Sequence, residues 1–266
     1  MVEHWNFNAQ YINYQMASVH LMGGLGNWMF QIAFVEYLTN LGGSQVFVDD
    51  QVEIAWQHSS NNYMESVFQK WSHLLRAKGD VETFWENNLH PANWTELLSR
   101  NNSTHFWGYF QHHDYILQSF LDKIQLPTSS LERNPDIPNS VFLHIRGGDY
   151  VNNWLLHVNF KEYYSHAIQQ FPEGTHFSIF TNDESYAKSF EFLKTISHSF
   201  VCESEIDSLY LMSQCKGGIC ANSSFSWWGA YLNRNRKLIL PSKWFNDPSF
   251  YTEGFYFPEA TIVDVI

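Results

Sequence analysis

The sequence predicts an α/β fold built as two Rossmann-like halves, each around a parallel sheet, that face a cleft. Three observations carry that expectation. Short apolar runs of strand length alternate with longer helix-periodic segments through most of the 266 residues. Glycine- or serine-rich turns stand where the strands end and the helices begin, as in right-handed crossover units. Finally, the stretch LPTSSLERNPDIPNS at 126–140 holds three prolines and several turn formers, and it separates two such series. We place the boundary at 135, giving an N-terminal segment 1–135 and a C-terminal segment 136–266.

Taken in order, SVHLM (18–22) reads as a strand, GGLGN (23–27) as a turn, WMFQIAFVEYLTNLG (28–42) as a helix closing on glycine, and QVFVDD (45–50) as the next strand. A middle region follows. It mixes helix-like segments at 63–79, 94–100 and 115–124 with the aromatic stretch THFWGYFQHHDY at 104–115. Beyond the proline-rich stretch, strands at 141–146, 176–183, 199–202, 217–222 and 237–242 alternate with helices at 160–171, 185–196, 205–215 and 226–233.

Composition narrows the partners. Fifteen basic residues stand against 27 acidic ones, a net charge of −12, which argues against a surface for nucleic acid or an anionic membrane, both of which want a basic patch. An anionic ligand must therefore be held by a few placed residues. Aromatic residues make up 18% of the chain, including 11 tryptophans, enough to supply both a core and a site that stacks on sugars or bases. Cys202, Cys215 and Cys220 form no CxxC and cannot all pair, which fits a reducing compartment. The first 18 residues are too polar for a signal peptide, and no apolar run approaches the roughly 20 residues that span a bilayer. The expectation is a cytoplasmic protein with no integral membrane segment.

Three loops at predicted strand ends carry chemistry, because open parallel sheets bind ligands there. In the first, Gly24 and Gly26 let backbone approach a ligand and Asn27 opens a helix whose free N–H groups suit an anion. The second is VFLHIRGGDY (141–150). Side chains alternate along a strand, so His144 and Arg146 share a face, and Arg146 offers its planar fork to phosphate oxygens. A structural alternative pairs Arg146 with Asp149. The third loop, Asn222, Ser223, Ser224, Phe225 and Ser226, supplies more donors than a helix cap requires and makes a second anion cradle. After the strand HFSIF, Asn182 and Asp183 offer an amide and a carboxylate for reading a base or ribose. Asp49 and Asp50 form an adjacent strand-end pair, and no Asp-X-Asp triplet exists, so no metal site is expected.

These features, in this order, resemble the α-1,2-fucosyltransferases of glycosyltransferase family 11. The family pattern GGLGNQMFQ, GYxQ, HIRRGDY, FSDD and LMSxCxxxIxANSSFSWWGA stands here as GGLGNWMFQ, GYFQ, HIRGGDY, FTND and LMSQCKGGICANSSFSWWGA, spanning Val19 to Val263. Trp28, Gly147 and Asn182 depart from it, Gly147 by removing a second arginine.

The resemblance implies a GT-B-like fold, with the N-terminal segment on the acceptor side and the C-terminal segment binding GDP-fucose. It implies transfer of L-fucose from GDP-β-L-fucose to the 2-hydroxyl of a terminal galactose in an oligosaccharide, with inversion and with no metal or other cofactor. By the same resemblance, Arg146 and His144 hold the pyrophosphate with Asn27, Asp183 reads the guanine or its ribose, and Ser223, Ser224 and Phe225 line the donor site. Trp107, Tyr109, Gln111 and His113 lie in the implied acceptor region. Arg146 is the expected catalytic residue, and the base is left open among Asp149, His112, His113 and Asp114, with a loose transition state needing no dedicated base as the further alternative. Two other readings stand beside this one. A nicotinamide-dependent oxidoreductase would use Gly24, Gly26 and Asp49 as its ribose-reading fingerprint, and would bind NAD(H) rather than GDP. A non-catalytic carbohydrate-binding protein would use the aromatic residues and would need no nucleotide cradle.

Overall fold

The computed structural model describes residues 16–42, 45–51, 53–54, 62–86, 93–99, 103–234 and 236–266; most of the polar N-terminal stretch read above lies outside them. The strands are β1 (Met16–Val19), β2 (Met22–Gly23), β3 (Gln45–Asp49), β4 (Glu53–Ile54), β5 (Leu75–Arg76), β6 (Glu82–Trp85), β7 (Thr104–Trp107), β8 (Val141–Ile145), β9 (His176–Thr181), β10 (Ser197–Phe200), β11 (Gly217–Ile219), β12 (Lys237–Pro241) and β13 (Ala260–Val263). Two sheets form around them. The first has the order β5-β3-β1-β7-β6 and the second β10-β9-β8-β11-β12-β13, while β2 and β4 make a separate pair. Every pairing is parallel.

The second sheet has the 3-2-1-4-5-6 order of a dinucleotide-binding fold, so its order reverses between β8 and β11. In the first sheet the reversal falls between β1 and β7. The loops leaving these four strands are the glycine loop, the GYFQ turn, the 146–150 turn and the 222–226 turn. Topology therefore sends four of the five motifs to facing edges of two parallel sheets, which is the two-halved, GT-B-like arrangement expected, while FTND leaves the neighbouring β9.

The α-helices are α1 (Leu25–Leu41), α2 (Trp94–Ser99), α3 (Gln118–Leu121), α4 (Ser130–Arg133), α5 (Lys161–Gln169), α6 (Glu184–Lys188), α7 (Glu205–Gln214) and α8 (Ser224–Tyr231), and the first of them joins the halves. α1 (Leu25–Leu41) buries Leu25, Trp28, Met29, Phe30, Ile32, Ala33, Phe34, Val35 and Leu38, so it is apolar nearly all round, as a helix enclosed by protein must be. On one side it covers the first sheet. On the other it meets α8 (Ser224–Tyr231), where the Phe30 ring lies 4.6 Å from Trp227 and 5.0 Å from Trp228 between centroids. A single apolar core thus runs from Ala17 through α1 to Trp227, Trp228 and Phe257. Strand alternation explains the second core. Phe142 belongs to the shared core, whereas Val141, Leu143 and Ile145 point to the other face and pack with Tyr163 and Tyr164.

Several elements differ from expectation. The strand expected over 18–22 is split into β1 and β2, and α1 begins at Leu25, inside the glycine turn. The expected helix 63–79 is a 3-10 turn at Gln69–Leu74 running into β5, and β6 was hidden in the mixed sequence VETFW, which fills one sheet edge. Only Gln118–Leu121 of 115–124 is α-helical. The proline-rich stretch carries a short helix, Ser130–Arg133, tied down by an Arg133–Glu203 ion pair of 2.7 Å. Among the described residues, no helix is long and apolar enough to cross a membrane.

Candidate active site

A cavity of about 420 Å³ lies between the two sheet edges. Of the residues singled out above, Gly24, Gly26, Asn27, Tyr109, Gln111, His112, Arg146, Asp149, Ser223, Ser224 and Phe225 line it. The amino ends of α1 and α8 meet there. A Cβ on Gly26 would stand 2.5 Å from the Phe225 backbone nitrogen, so glycine is what lets the two helix ends touch. Neither end has a side-chain cap, which leaves N–H groups and the positive ends of two helix dipoles beside the cavity. Asn27 joins three motifs: its Oδ1 accepts from Gln111 Nε2 at 2.9 Å and from Ser224 Oγ at 2.8 Å. Behind it, buried Gln31 ties the glycine loop to the GYFQ turn, accepting from the Met22 N–H (3.1 Å) and donating to the Gly108 carbonyl (2.9 Å).

Arg146 brings the cation. Among the described residues it is the one arginine of the lining, which includes no lysine. Its Nη2 donates to Asp149 Oδ1 at 2.7 Å, its guanidinium stacks over the Tyr150 ring at 4.6 Å, and its buried Nε has no hydrogen-bond partner. The pairing with Asp149 read as the structural alternative is therefore present, and it orients the fork rather than consuming it, because the other N–H groups remain. Glu86, Asp149 and Glu205 also line the cavity, so without its two helix ends and Arg146 the site would repel an anion.

The remaining predicted residues lie outside the lining. His144 is buried on the Arg146 face of β8, 5.8 Å from the Phe225 ring; burial and the neighbouring Arg146 lower its pKa to about 3, so it is neutral. Asn182 and Asp183 hold the 146–150 turn from behind. Asn182 Oδ1 accepts from the Gly147 N–H (2.9 Å), and Asp183 accepts from the Gly148 N–H (3.2 Å) while capping α6 (Glu184–Lys188) through the Tyr186 N–H (2.9 Å). Gly148 needs its positive φ of 60° for this turn, and the Asn182 amide fills the space of a Cβ. At Gly147, the position of the missing second arginine, a Cβ would meet Tyr186 Cδ1 and Asp183 Cβ, each at 2.8 Å.

Asn222 donates from Nδ2 to the Leu156 carbonyl (2.9 Å) and the Trp244 carbonyl (2.8 Å), fixing two segments of the cavity wall, and Ser226 is buried behind Ser223. Trp107 stacks on His20 at 3.7 Å, and His113 Nδ1 lies 3.1 Å from Asp114 Oδ1. Asp49 is buried between His20 (3.4 Å) and His105 (3.7 Å), a cluster with potential metal-ligand atoms within 4.8 Å of one another and away from the lining. Asp49 is not among the residues that line the cavity, so the acidic member of the oxidoreductase fingerprint has no place in its wall.

Sequence reading missed Glu86 and an aromatic wall of Tyr115, Tyr150, Trp244, Phe245, Phe250, Tyr251 and Phe255. The C-terminal members belong to no strand or α-helix, so no periodicity marks them.

The family model for Glycosyl transferase family 11 matches residues 1–262. The chain belongs to glycosyltransferase family 11. Three relatives show how far the likeness runs. The O-antigen biosynthesis glycosyltransferase WbnK of Escherichia coli is 32% identical over 40% of this chain and 39% of its own, and an alpha-1,2-colitosyltransferase of Escherichia coli is 33% identical over 55% and 58%. The galactoside alpha-(1,2)-fucosyltransferase 2 of Gorilla gorilla gorilla is 26% identical over 92% of this chain and 78% of its own. The matches to the two bacterial relatives thus cover less than two thirds of their lengths.

Proposed function

We propose that this family 11 protein transfers L-fucose from GDP-β-L-fucose to the 2-hydroxyl of a terminal galactose in an oligosaccharide, in one inverting displacement. The observation that carries the reading is the meeting of two uncapped helix amino ends beside Arg146 in a cavity whose acidic lining residues are Glu86, Asp149 and Glu205. That is a place for a compact dianion such as a nucleotide diphosphate, and little else. The linkage and the sugar rest on the family and on the names of the gorilla and colitosyl relatives.

In the displacement, negative charge gathers on the departing GDP while the sugar ring becomes positive. Arg146 and the free N–H groups of α1 and α8 meet the leaving charge; one such preorganised donor contributes about 3 kcal/mol, a factor of about 10² in rate. Ser223, Ser224 and Phe225 bound the donor, Asn27 keeps the halves in register over it, and Tyr109 and Gln111 face the acceptor. Asn182, Asp183, Asn222 and Ser226 act through the turns they hold, and buried His144 stands against the Phe225 ring. In this reading Arg146 and the helix-terminal N–H groups meet the charge, and no metal takes part. The aromatic wall supplies flat faces for a galactoside.

The test is turnover of GDP-fucose and, in parallel, GDP-colitose by chelator-treated protein against lactose, N-acetyllactosamine and a type-1 disaccharide, with the linkage read from the product. A 2-linked α-fucosyl galactose, lowered about 10²-fold or more by Arg146→Ala, is the expected result. Transfer from GDP-colitose alone would change the donor, and GDP binding without transfer to any acceptor would overturn the linkage.

A further inference from the structure

The transfer reaction needs a group to take the proton of the acceptor hydroxyl, and the cavity carboxylates differ in how committed they are. Asp149 is held by Arg146 at 2.7 Å, and Glu205 accepts from the Tyr63 hydroxyl at 2.6 Å. His112 also lines the cavity, yet its Nδ1 accepts from the Asp114 N–H at 3.2 Å and its Nε2 lies 3.4 Å from the Tyr251 hydroxyl. Glu86 is the exception.

Glu86 follows β6 directly, and its backbone N–H donates to the Trp107 carbonyl at 2.9 Å. One carboxylate oxygen, Oε2, accepts from two successive backbone N–H groups, Tyr109 at 2.7 Å and Phe110 at 2.8 Å. Aiming both at one atom has a conformational cost. Phe110 takes φ 51°, the one positive φ of a non-glycine residue among those described, and a Cβ on Gly108 would fall 2.4 Å from Glu86 Cβ and 2.6 Å from Oε2. Strain of this kind persists where the surroundings over-determine it, and it gathers at functional sites. The other oxygen, Oε1, accepts no hydrogen bond from the described residues and is not a sealed-in, unpartnered atom. It belongs to a side chain that lines the cavity beside Tyr109 and Gln111. Burial also holds the Glu86 carboxyl above the ordinary carboxylate range, against the opposing pull of the Phe110 and Tyr109 N–H groups.

We propose that Glu86 is the general base of the transfer, its Oε2 locked by the 108–110 turn and its Oε1 presented to the acceptor hydroxyl. This rests on the fucosyl-transfer reading above. In the step, the hydroxyl oxygen forms its bond to the anomeric carbon while the bond from that carbon to the diphosphate oxygen breaks. The electron pair leaves with GDP, and the hydroxyl proton moves to Oε1.

Glu86→Gln is the deciding variant, because an amide carbonyl still accepts from both N–H groups but cannot take a proton. The expected result is transfer slowed by about 10²–10⁴-fold, with GDP affinity by calorimetry within about twofold of wild type. The wild-type pH–rate profile should carry an acidic limb that the variant lacks. Glu86→Asp, which keeps an ionisable group, should be slowed yet retain that limb; it carries the test if the glutamine variant fails to fold. Transfer by Glu86→Gln within about threefold of wild type, or an acidic limb unchanged in it, would overturn the assignment alone. Wild-type protein that binds GDP and transfers to no galactoside would overturn the parent reading, and the assignment with it.

Discussion

Gly26→Ala tests whether the seam between the two helix ends sets the site. The added Cβ would stand 2.5 Å from Phe225 N, 2.6 Å from Ser224 C and 2.8 Å from Ser224 Oγ, where ordinary contact begins at 3.4 Å. The shortfall is 0.9 Å, and the two nearest atoms are backbone, so no side-chain rotation relieves it. Either α1 or α8 must move by about that distance. Overpacking of this order costs about 1–3 kcal/mol of stability. A displacement of about 1 Å at a reacting centre costs about 10²-fold in rate, and here it would separate the helix ends from Arg146 and pull Asn27 from Ser224. Gly42→Ala is the control: its φ of 76° and ψ of −176° lie where essentially only glycine goes, so alanine is strained there by about 1–3 kcal/mol, yet nothing lies within 4 Å of the new Cβ. Urea unfolding and transfer kinetics measured together should show similar stability losses in the two variants, with a rate loss of about 10²-fold only in Gly26→Ala. Wild-type kcat/KM in Gly26→Ala would refute the claim that these helix ends touch over the donor.

Other perturbations read other parts of the molecule. Restoring the missing arginine by Gly147→Arg should destabilise the protein by about 1–3 kcal/mol without raising turnover, because Tyr186 and Asp183 occupy the space; adding Tyr186→Ala should recover stability, and a stable, faster single variant would count against this packing. His144 and His105 have pKa values lowered from 6.5 to about 3 and about 4, chiefly by burial. Between those values and 6.5 the unfolded chain binds more protons, so their contribution to stability is complete above about pH 6.5 and falls as the pH drops toward 4; a urea midpoint flat across that window would refute it. Burial pushes the Cys215 thiol up to about 12 and raises that of Cys220 further, while Cys202 is exposed. A disulfide reagent should therefore titrate one thiol in the native chain and three after denaturation, and rapid labelling of all three would show an opened core.

How much of this was legible in the sequence depends on range. The strand at 141–145 and the helix after the glycine loop were readable because apolar periodicity and turn residues lie within a few positions of each other. The strand-end loops were readable for a second reason: parallel topology fixes where ligands bind before any side chain is placed. What escaped has distant partners. Asn182 and Asp183 looked like ligand readers, but their acceptor oxygens are taken by N–H groups 35 residues away, at Gly147 and Gly148. Glu86 stood in a stretch of mixed pattern, and only the return of residues 108–110 reveals what holds it. Similarly, β5 and β6 read poorly because edge strands of two and four residues owe their form to the neighbour they pair with.

The unbroken core through α1 has a consequence for how substrates come and go. Domains joined by small polar contacts are expected to move against each other, and large apolar contacts suppress that motion. With Phe30 set against Trp227 and Trp228, prising the two halves apart would wet the most aromatic part of the molecule. Rocking of lobes is thus a costly way to admit a nucleotide sugar. On the proposed function, passage falls instead to the irregular rim, 150–156 and 244–255, whose lining residues wall the cavity without belonging to either sheet. The two sheets then serve as a fixed frame, and the loops of the rim are the part left free to adjust.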